Sequence, residues 1–439
     1  MADIAPFRGI VYDPKRVEIS KVIAPPYDVI DPPMRAKLAA DPHNVVEIDL
    51  PEVKEGDKYA HAAATFDRWL AEGILRQDAS KSIYRYHQRF TSAELGGRAV
   101  VRKGFVCAIR LTPFGEGTVR PHERTLKGPK EDRFKLITAA RAHFSQVFGL
   151  FSDASGEVER LFRKYESAAP TLQGTTSDGT EHVVWAIRDA EMIGRLRRLM
   201  SPKHIYIADG HHRYETMLAV RDAIAGGKEP SMYSSLNYGS IFLASMDDPG
   251  LIVLPTHRIV HGLTGFSKDT LLERAREWFI VDKIAGGASD MDKVRASVAD
   301  AVAHRTAFAA LFPKDPDAWR FTLSPSVNPA AVGLSGHPAV LRLDVTLLHG
   351  LLLERVLGIT PAAQEAQTNL RYVKDSTAAL AATSAPDTQA VFLMGAPKVA
   401  DVKHVADAGE IMPQKSTYFY PKIASGLVMA KVDPDEDLV

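Results

Sequence analysis

Several features that mark specialised classes of protein are missing from this chain of 439 residues. It has one cysteine, Cys107, so it cannot form an internal disulfide, as is usual for a reducing compartment. Lys and Arg together number 54, and so do Asp and Glu, which gives a formal net charge of zero. Without a basic or acidic excess, no global field attracts nucleic acid or an anionic membrane. Any anion site must therefore be local.

Long apolar runs are also missing. The run Val345–Leu357 is interrupted by His349 and Glu354, and no run approaches the roughly 20 residues that cross a bilayer. The first residues lack the basic region and apolar core of a secretion signal. We therefore expect a cytoplasmic protein with neither a membrane nor a nucleic acid as partner.

What is present is an ordinary globular composition, with 45% hydrophobic and 25% charged residues. The length exceeds that of one hydrophobic core, so two or three packed units are expected. Strand and helix patterns alternate, which predicts an α/β to α+β fold with mixed sheets. We expect a proline-rich segment with a helix at 1–80, a core at 81–265 and a further α/β region at 266–439. The last segment of this region, 412–422, is expected to return to the functional site in the core.

Local patterns give more detailed expectations for the elements. Residues 82–90 and 100–111 are predicted to form a hairpin, and 240–246 a second strand pair with 251–260. The charged segment 120–133 is expected to be a loop. Helices are expected at 59–75, 134–148, 156–168 and 190–200, and a strand at 182–188.

The strongest signal is a strand-to-helix turn at 209–213, Asp-Gly-His-His-Arg. It lies between strand-like His204–Ala208 and the helical spacing of Tyr214–Ala225. A glycine turn that opens a helix presents backbone N–H groups and the positive dipole end to an anion. Phosphate fits such a site, because the side chains that follow Asp209 and Gly210 supply further donors: His211, His212 and Arg213.

Two other interpretations of this turn stay open. Asp209 is a residue type that caps helices, so the turn is also consistent with a capped N-terminus followed by solvated polar residues. Zinc binding by His211 and His212 is disfavoured, because neighbours on a helix diverge by about 100°.

The charged segment 120–133 carries nine charged or histidine side chains in fourteen residues. Within it, His122 and Glu123 lie in a run whose cations are Arg120, Arg124, Lys127 and Lys130. A glutamate held among cations is a candidate general base at a phosphate site. A solvated loop is the alternative.

Near the C-terminus, Lys415 and Ser416 follow Gly409 in a pattern close to a P-loop, but Gln414 occupies the place of the required second glycine. We therefore expect no P-loop. Lys415, Ser416 and Thr417 remain candidates for contact with substrate or phosphate, and a surface turn is the alternative.

Two shorter segments are weaker candidates for substrate or phosphate contact. Thr256, His257 and Arg258 end an apolar strand, where a polar set suits a site but also suits a simple strand end. Tyr27 and Asp28 follow two prolines, which suggests a rigid lid or wall, with a structural turn as the alternative.

Five segments, taken in order, resemble a bacterial family known as domain of unknown function 1015. They are Pro25–Asp28, Arg120–Glu123, Asp209–Arg213, Pro255–Arg258 and Met412–Lys422. The family looks related to free-serine kinases on the ParB/sulfiredoxin-type fold, in which a turn of this kind binds nucleotide phosphates and an upstream glutamate accepts the serine proton.

This resemblance implies a ParB/sulfiredoxin-like nucleotide-binding core at 81–265 and a kinase that uses ATP or ADP with Mg²⁺. The acceptor would be a small hydroxyl compound, with serine suggested by the family. Glu123 and Asp209 would be catalytic, with Asp209 also a tentative Mg²⁺ ligand. Phosphates would be bound by a set of six residues: Arg120, His122, Gly210, His211, His212 and Arg213.

Related folds supply the rival functions. ParB proteins are CTP-driven DNA clamps, but this chain has no basic excess. Sulfiredoxins need a cysteine in the turn, and here the turn has none. A non-catalytic nucleotide-binding regulator of ParB-like type therefore remains as the alternative to a kinase.

Overall fold

The chain forms two compact units, Met1–Ile252 with Pro421–Val439, and Val253–Tyr420. The structure, a computed structural model, describes residues 1–123, 127–302, 305–413 and 415–439, without the side chains of residues 93 and 127–129. Within these ranges, no helix combines the length and apolar character needed to span a bilayer.

The first unit combines strands and helices along its whole length. Its strands are β1 (Ile4–Ala5), β2 (Ile10–Tyr12), β3 (Leu75–Gln77), β4 (Ile83–Thr91), β5 (Ala99–Arg110), β6 (Val119–Arg120), β7 (Ala142–His143), β8 (Val147–Phe151), β9 (Leu172–Thr175), β10 (Glu181–Ile187), β11 (Ile205–Asp209) and β12 (Tyr238–Ser245). Its α-helices are α1 (Ile19–Val22), α2 (Pro32–Leu38), α3 (Val46–Asp49), α4 (Lys58–Ala71), α5 (Lys127–Ala140), α6 (Glu157–Phe162), α7 (Ala190–Met200) and α8 (His211–Ala225). Short 3-10 turns lie at Tyr27–Val29, Ala93–Leu95, Arg163–Tyr165 and Ser235–Asn237.

A nine-stranded mixed sheet forms the centre of this unit, in the order β6-β11-β8-β12-β5-β4-β10-β9, with β1 beside β5. Strand β11 runs parallel to β6 and antiparallel to β8, so β11 lies inside the sheet, next to its edge. One face is covered by α7 and α8, whose Leu196 and Tyr214 pack with Ile207 of β11 in a fully buried apolar cluster. Burial of such side chains, at about 25 cal/mol per Å² of apolar surface, fixes the strand and the helix that follows it.

The second unit contains a separate sheet. Its strands are β13 (Ile252–Leu254), β14 (His257–His261), β15 (Phe279–Ile284), β16 (Ala307–Leu311), β17 (Ala318–Leu323), β18 (Leu370–Val373), β19 (Thr388–Leu393) and β20 (Tyr418–Tyr420). Its helices are α9 (Lys268–Ala275), α10 (Met291–Val302), α11 (Pro338–Leu341), α12 (Asp344–Leu347), α13 (Pro361–Ala366), α14 (Ser376–Ala382) and α15 (Val399–Asp407), with a 3-10 turn at Gly287–Ser289 and a π-helix at Leu348–Val356. Six strands form the order β15-β17-β16-β19-β14-β18, and β13 pairs with β20. A last strand, β21 (Ala430–Lys431), returns to the first unit and pairs with β7.

The mixed α/β fold is as predicted, and several local predictions are confirmed. The strand before the turn and the helix after it are β11 and α8. The predicted hairpin is the antiparallel pair β4 and β5. The predicted helix at 190–200 is α7.

Three local predictions are wrong. Strand β12 does not pair with the chain that follows it, because β5 and β8 occupy its two edges. The helix expected at 134–148 ends at Ala140, and β8 begins at Val147. The charged segment 120–133 is not a continuous loop, because α5 begins at Lys127.

Candidate functional site

The turn between β11 and α8 depends on a glycine in the left-handed region. Gly210 has φ 88°, a conformation that favours glycine. A Cβ atom built there would lie 2.9 Å from Nε of Arg213, so the side chain of Arg213 occupies the space a larger residue would need. The capping alternative is wrong, because the N-cap residue of α8 is Gly210, without a side-chain cap among the described residues.

Asp209, at the end of β11, is held by two cations instead. Its Oδ2 accepts a hydrogen bond of 2.5 Å from Nη2 of Arg213, and its Oδ1 accepts one from Nζ of Lys422. Burial would raise the pKa of this carboxyl, but the charges of Lys422 and Arg213 outweigh it and hold the pKa well below its usual range. Asp209 is therefore an ionised, internally neutralised group.

This pairing bears on the tentative metal role of Asp209. Both of its carboxylate oxygens face cations, an arrangement that does not suit direct coordination of Mg²⁺. Among the described residues, no three His, Cys, Asp or Glu side chains are grouped closely enough to hold a metal ion.

Lys422 reaches Asp209 because two buried polar side chains hold its backbone. Gln88 of β4 and Arg102 of β5 are cross-strand partners. Nη2 of Arg102 donates to the Pro421 carbonyl at 2.5 Å, and Nε2 of Gln88 donates to the Lys422 carbonyl at 2.9 Å. Segment 412–422 was predicted to return to the site; within it, Lys422 contacts Asp209.

His122 and His211 pack edge to face beside this cluster, with ring centroids 4.8 Å apart. Nδ1 of His122 lies 2.7 Å from the Ile207 carbonyl, and the His122 amide donates to Nε2 of His211 at 3.3 Å. These partners assign the proton of each neutral ring to Nδ1. Burial lowers the pKa of His211 well below its ordinary value, and it lowers that of His122 to about 4, so both rings are neutral at pH 7.

Glu123 is brought to the turn by the same packing. Its Oε2 lies 3.9 Å from Nδ1 of His211, although the two residues are far apart in the chain. The glutamate side chain is 33% exposed and the histidine side chain 4%. The site thus places a solvent-accessible carboxylate against the N–H of a buried imidazole at the first residue of α8.

The two remaining residues of the turn differ in accessibility. His212 is half-buried, and its carbonyl accepts a hydrogen bond from Oγ1 of Thr216. Arg213 is buried, and its Nη1 donates to the Gln146 carbonyl while Nη2 holds Asp209. In this arrangement the guanidinium links Asp209, at the end of β11, to the backbone at Gln146.

Tyr27 lies near Arg213, and its ring packs against a second buried cation, Arg133. Its ring centroid is 4.2 Å from the Arg133 guanidinium, which is fixed by Asp49 at 2.9 Å. Burial raises the pKa of Tyr27 to about 12, against the opposing charges of Arg213 and Arg133. The neighbouring Asp28 is exposed.

Two of the cations expected around Glu123 have contacts of their own. Nη2 of Arg120 lies 3.3 Å from Nε2 of His204, and Lys130 pairs with Glu215 at 2.6 Å. Arg124 and the side chain of Lys127 lie outside the described residues.

The other candidate residues belong to the second unit. Thr256 and Lys415 contribute carbonyls that accept hydrogen bonds from Arg258. Oγ of Ser416 donates to the Pro413 carbonyl at 2.5 Å. His257 is buried and accepts a hydrogen bond from the Met394 amide. Thr417 is part of the same segment and half-buried.

Gln88 and Arg102 were not among the site residues predicted from the sequence. A signal existed, because each interrupts the apolar face of its strand: Tyr84, Tyr86 and Phe90 flank Gln88 at period two, and Val100 and Val106 flank Arg102. Polar residues at inward positions of two adjacent strands indicate a buried polar pair.

Structural comparison finds solved structures that match most of this chain at low sequence identity and low TM-score. A free serine kinase in complex with AMP has 13% identity and a TM-score of 0.34, with 70% of this chain and 89% of that chain covered. SbnI with a C-terminal truncation, from Staphylococcus aureus, has 9% identity and a TM-score of 0.36, with 76% and 90% covered. A conserved hypothetical protein from Pyrococcus furiosus has 14% identity and a TM-score of 0.33, with 70% and 89% covered.

No curated protein is significantly similar to this chain in sequence. The family described as protein of unknown function, DUF1015, matches residues 4–346. The match covers most of the chain and includes the turn at 209–213, so the chain belongs to the DUF1015 family.

Proposed function

We propose that the first unit is a nucleotide-dependent kinase for a small hydroxyl-bearing substrate, with Glu123 as its general base. The observation that carries the proposal is the 3.9 Å separation between Oε2 of Glu123 and Nδ1 of His211. It places a proton acceptor beside the first residue of a helix, where phosphate groups bind.

The phosphate site in this proposal is the N-terminus of α8. This helix has fifteen residues, long enough for a developed dipole, and its first amides have no acceptor within the helix. Half-buried His212 supplies an imidazole that contacts both solvent and a bound phosphate. Arg213 and Lys422 act indirectly, since they neutralise Asp209 and so remove a negative charge that would repel the nucleotide.

The chemical step needs a base because an alcohol is a weak nucleophile at neutral pH. The substrate oxygen attacks the terminal phosphorus of the donor while its proton passes to a carboxylate oxygen of Glu123. The bond between that phosphorus and the bridging oxygen breaks, and the shortened nucleotide leaves with the electron pair. His211, neutral because of its burial, has its Nδ1 3.9 Å from Oε2 of Glu123, so its N–H would hydrogen-bond the carboxylate after a small approach of the two side chains.

The donor is ATP or ADP in this proposal, and serine is the acceptor that the family resemblance implies. Of residues 81–265, the stretch 81–252 belongs to the first unit and would form its ParB/sulfiredoxin-like core. Because both oxygens of Asp209 face cations, we assign Mg²⁺ to the nucleotide phosphates, with no direct bond to this residue.

The test is incubation of the full chain with ATP or ADP, Mg²⁺ and a panel of small hydroxyl compounds that includes serine, read by mass spectrometry. A product heavier by one phosphoryl group supports the proposal. Nucleotide binding without any product, measured by calorimetry, would support the alternative, a non-catalytic regulator. Absence of nucleotide binding would overturn both.

A further inference from the structure

The second unit contains a cavity of about 250 Å³ whose lining carries charges of both signs. This is space for several water molecules or for one small metabolite. The polar residues of its lining that matter here are Thr256, Arg258, Arg305, Arg342, Asp344 and Lys398. All of them belong to Val253–Tyr420.

Arg258 is the buried cation of this cavity, with 1% of its surface exposed. Its guanidinium donates to three neutral acceptors, the carbonyls of Thr256 and Lys415 and Nε2 of His349. Its aromatic neighbour is Tyr372, whose ring centroid is 5.5 Å away. These hydrogen-bond partners are neutral, and the negative charge of Asp344 acts on Arg258 without an ion pair among the described residues. A buried cation is costly unless an anion joins it.

His349 is an uncharged hydrogen-bond partner of Arg258. Burial and the neighbouring Arg258 lower the pKa of His349 to about 3, so the imidazole is neutral and acts as an acceptor. It lies in the π-helix Leu348–Val356, a conformation that is rare and frequent at functional sites.

Asp344 is the half-buried anion of the same cavity. Its Oδ1 accepts a hydrogen bond of 2.6 Å from the Val345 amide, and the Gly395 amide also bonds to it. Among the described residues no ion pair within 4.0 Å joins Asp344 to Arg258, although the positive charge of Arg258 opposes the effect of burial on the pKa of Asp344. Burial raises the pKa of Asp344 to about 6, so most of it is ionised at pH 7 and able to accept a further hydrogen bond.

We infer that this cavity binds a small carboxylic acid that also carries a hydroxyl or amino group. The ligand's carboxylate pairs with Arg258, whose planar fork matches carboxylate geometry, and its hydroxyl or ammonium group donates to Asp344. A ligand with both groups pairs with Arg258 and Asp344 at once, which neither a plain carboxylate nor a plain amine does.

Exposed cations at the rim of the cavity also favour a negatively charged ligand. Arg305, Arg342 and Lys398 line the cavity and are exposed. Of these, Arg342 lies 3.8 Å from Asp401. The balance of the rim is positive, which raises the local concentration of small anions and speeds their entry.

The test compares L-lactate, L-alanine and propionate as ligands of the full chain by calorimetry, without nucleotide. Lactate and alanine should bind more tightly than propionate, which has no donor for Asp344. Arg258→Gln should weaken all three roughly ten- to hundred-fold. Asp344→Asn should remove the preference over propionate, while Lys283→Gln, an exposed cation of the same unit outside the cavity, should change nothing.

Equal affinities for lactate and propionate in the parent protein, or no detectable binding, would overturn the inference. If Arg258→Gln or Asp344→Asn does not fold, amide hydrogen exchange of the parent protein tests the site instead. Lactate should slow the exchange of residues 394–398 and 342–345. Binding without protection there would place the ligand elsewhere and reject this site. The inference concerns the second unit alone, so neither its success nor its failure bears on phosphoryl transfer in the first.

Discussion

Lys422 forms an ion pair with Asp209 across 213 positions of the chain. The pair is mostly buried, with side-chain exposures of 13% and 15%. Removal of one partner of a buried ion pair leaves the other charge buried and uncompensated. This costs more free energy of unfolding than the intact pair contributes. The first unit therefore depends on its last segment for the electrostatic state of the turn.

Replacement of Lys422 by glutamine should lower the free energy of unfolding by about 3 kcal/mol, because Asp209 then keeps one cation instead of two. Chemical denaturation measures this. Asp209→Asn combined with Lys422→Gln should cost less than the sum of the single changes. The exposed pair of Lys135 with Glu131 is the control, and Lys135→Gln should leave the free energy of unfolding nearly unchanged. Additive effects at 209 and 422 would contradict the pairing.

Two glycines with nearly the same φ separate backbone strain from steric conflict. Gly210 has φ 88° and Gly56 has φ 89°, but only at Gly210 would a Cβ meet another group, Nε of Arg213 at 2.9 Å. Gly56→Ala should cost about 1 kcal/mol from strain alone. Gly210→Ala should cost at least about 1 kcal/mol more, since Arg213 is held by its own hydrogen bonds. Thermal unfolding of both variants tests this, and equal losses would disprove the steric part.

Glu123→Gln should reduce kinase turnover by about 10²–10⁴-fold, the usual contribution of a general base. The amide cannot take the substrate proton, whereas nucleotide affinity should remain nearly unchanged. Glu116→Gln, an exposed change in the same stretch of chain, is the matched control and should retain full turnover. Full turnover in Glu123→Gln would remove the base assignment and leave the phosphate site standing.

His212 and Arg213 are adjacent but should respond differently to alanine. His212→Ala should weaken nucleotide binding by about 1–3 kcal/mol with little loss of stability, because the side chain is half-buried. Arg213→Ala should lower stability, since its guanidinium bonds to Gln146 and Asp209. Calorimetry and thermal unfolding on the same samples separate the two effects. A stable Arg213→Ala variant would show that the hydrogen bonds of Arg213 to Gln146 and Asp209 do not contribute to stability.

Acid should destabilise the first unit in a definite pH window. The pKa of His122 is lowered from 6.5 to about 4 by burial. The unfolded chain therefore binds a proton at this residue below pH 6.5, while the folded chain does so only near pH 4. Stability is complete above this window and falls as the pH decreases through it, by up to about 1.4 kcal/mol per pH unit.

His122→Asn keeps a donor for the Ile207 carbonyl but removes the titrating ring. Denaturation at pH 7 and pH 5 should show a smaller loss of stability in this variant than in the parent protein. His61→Asn, at an exposed position, should keep the parent's dependence. An identical pH dependence in all three proteins would mean that His122 does not contribute to it.

Local sequence was sufficient where neighbours in the chain decide the structure. The apolar run before Asp209, the glycine and the helical spacing after it predicted β11 and α8, because strand, turn and helix preferences act over a few residues. Helix α7 was predicted for the same reason. The start of α5 at Lys127 was missed, because a charged run gives no apolar periodicity from which to read a helix.

Tertiary structure decided which distant groups meet. The approach of Glu123 to His211, the pairing of Gln88 with Arg102 and the return of Lys422 to Asp209 all depend on strand register and sheet order. The strand pair predicted at 240–246 and 251–260 failed for the same reason, since β5 and β8 took both edges of β12. The sequence by itself determined the residue types and the local shape of the turn. Only the fold determined the partners of its charges, because charge pairing depends on distances in space that spacing along the chain does not encode.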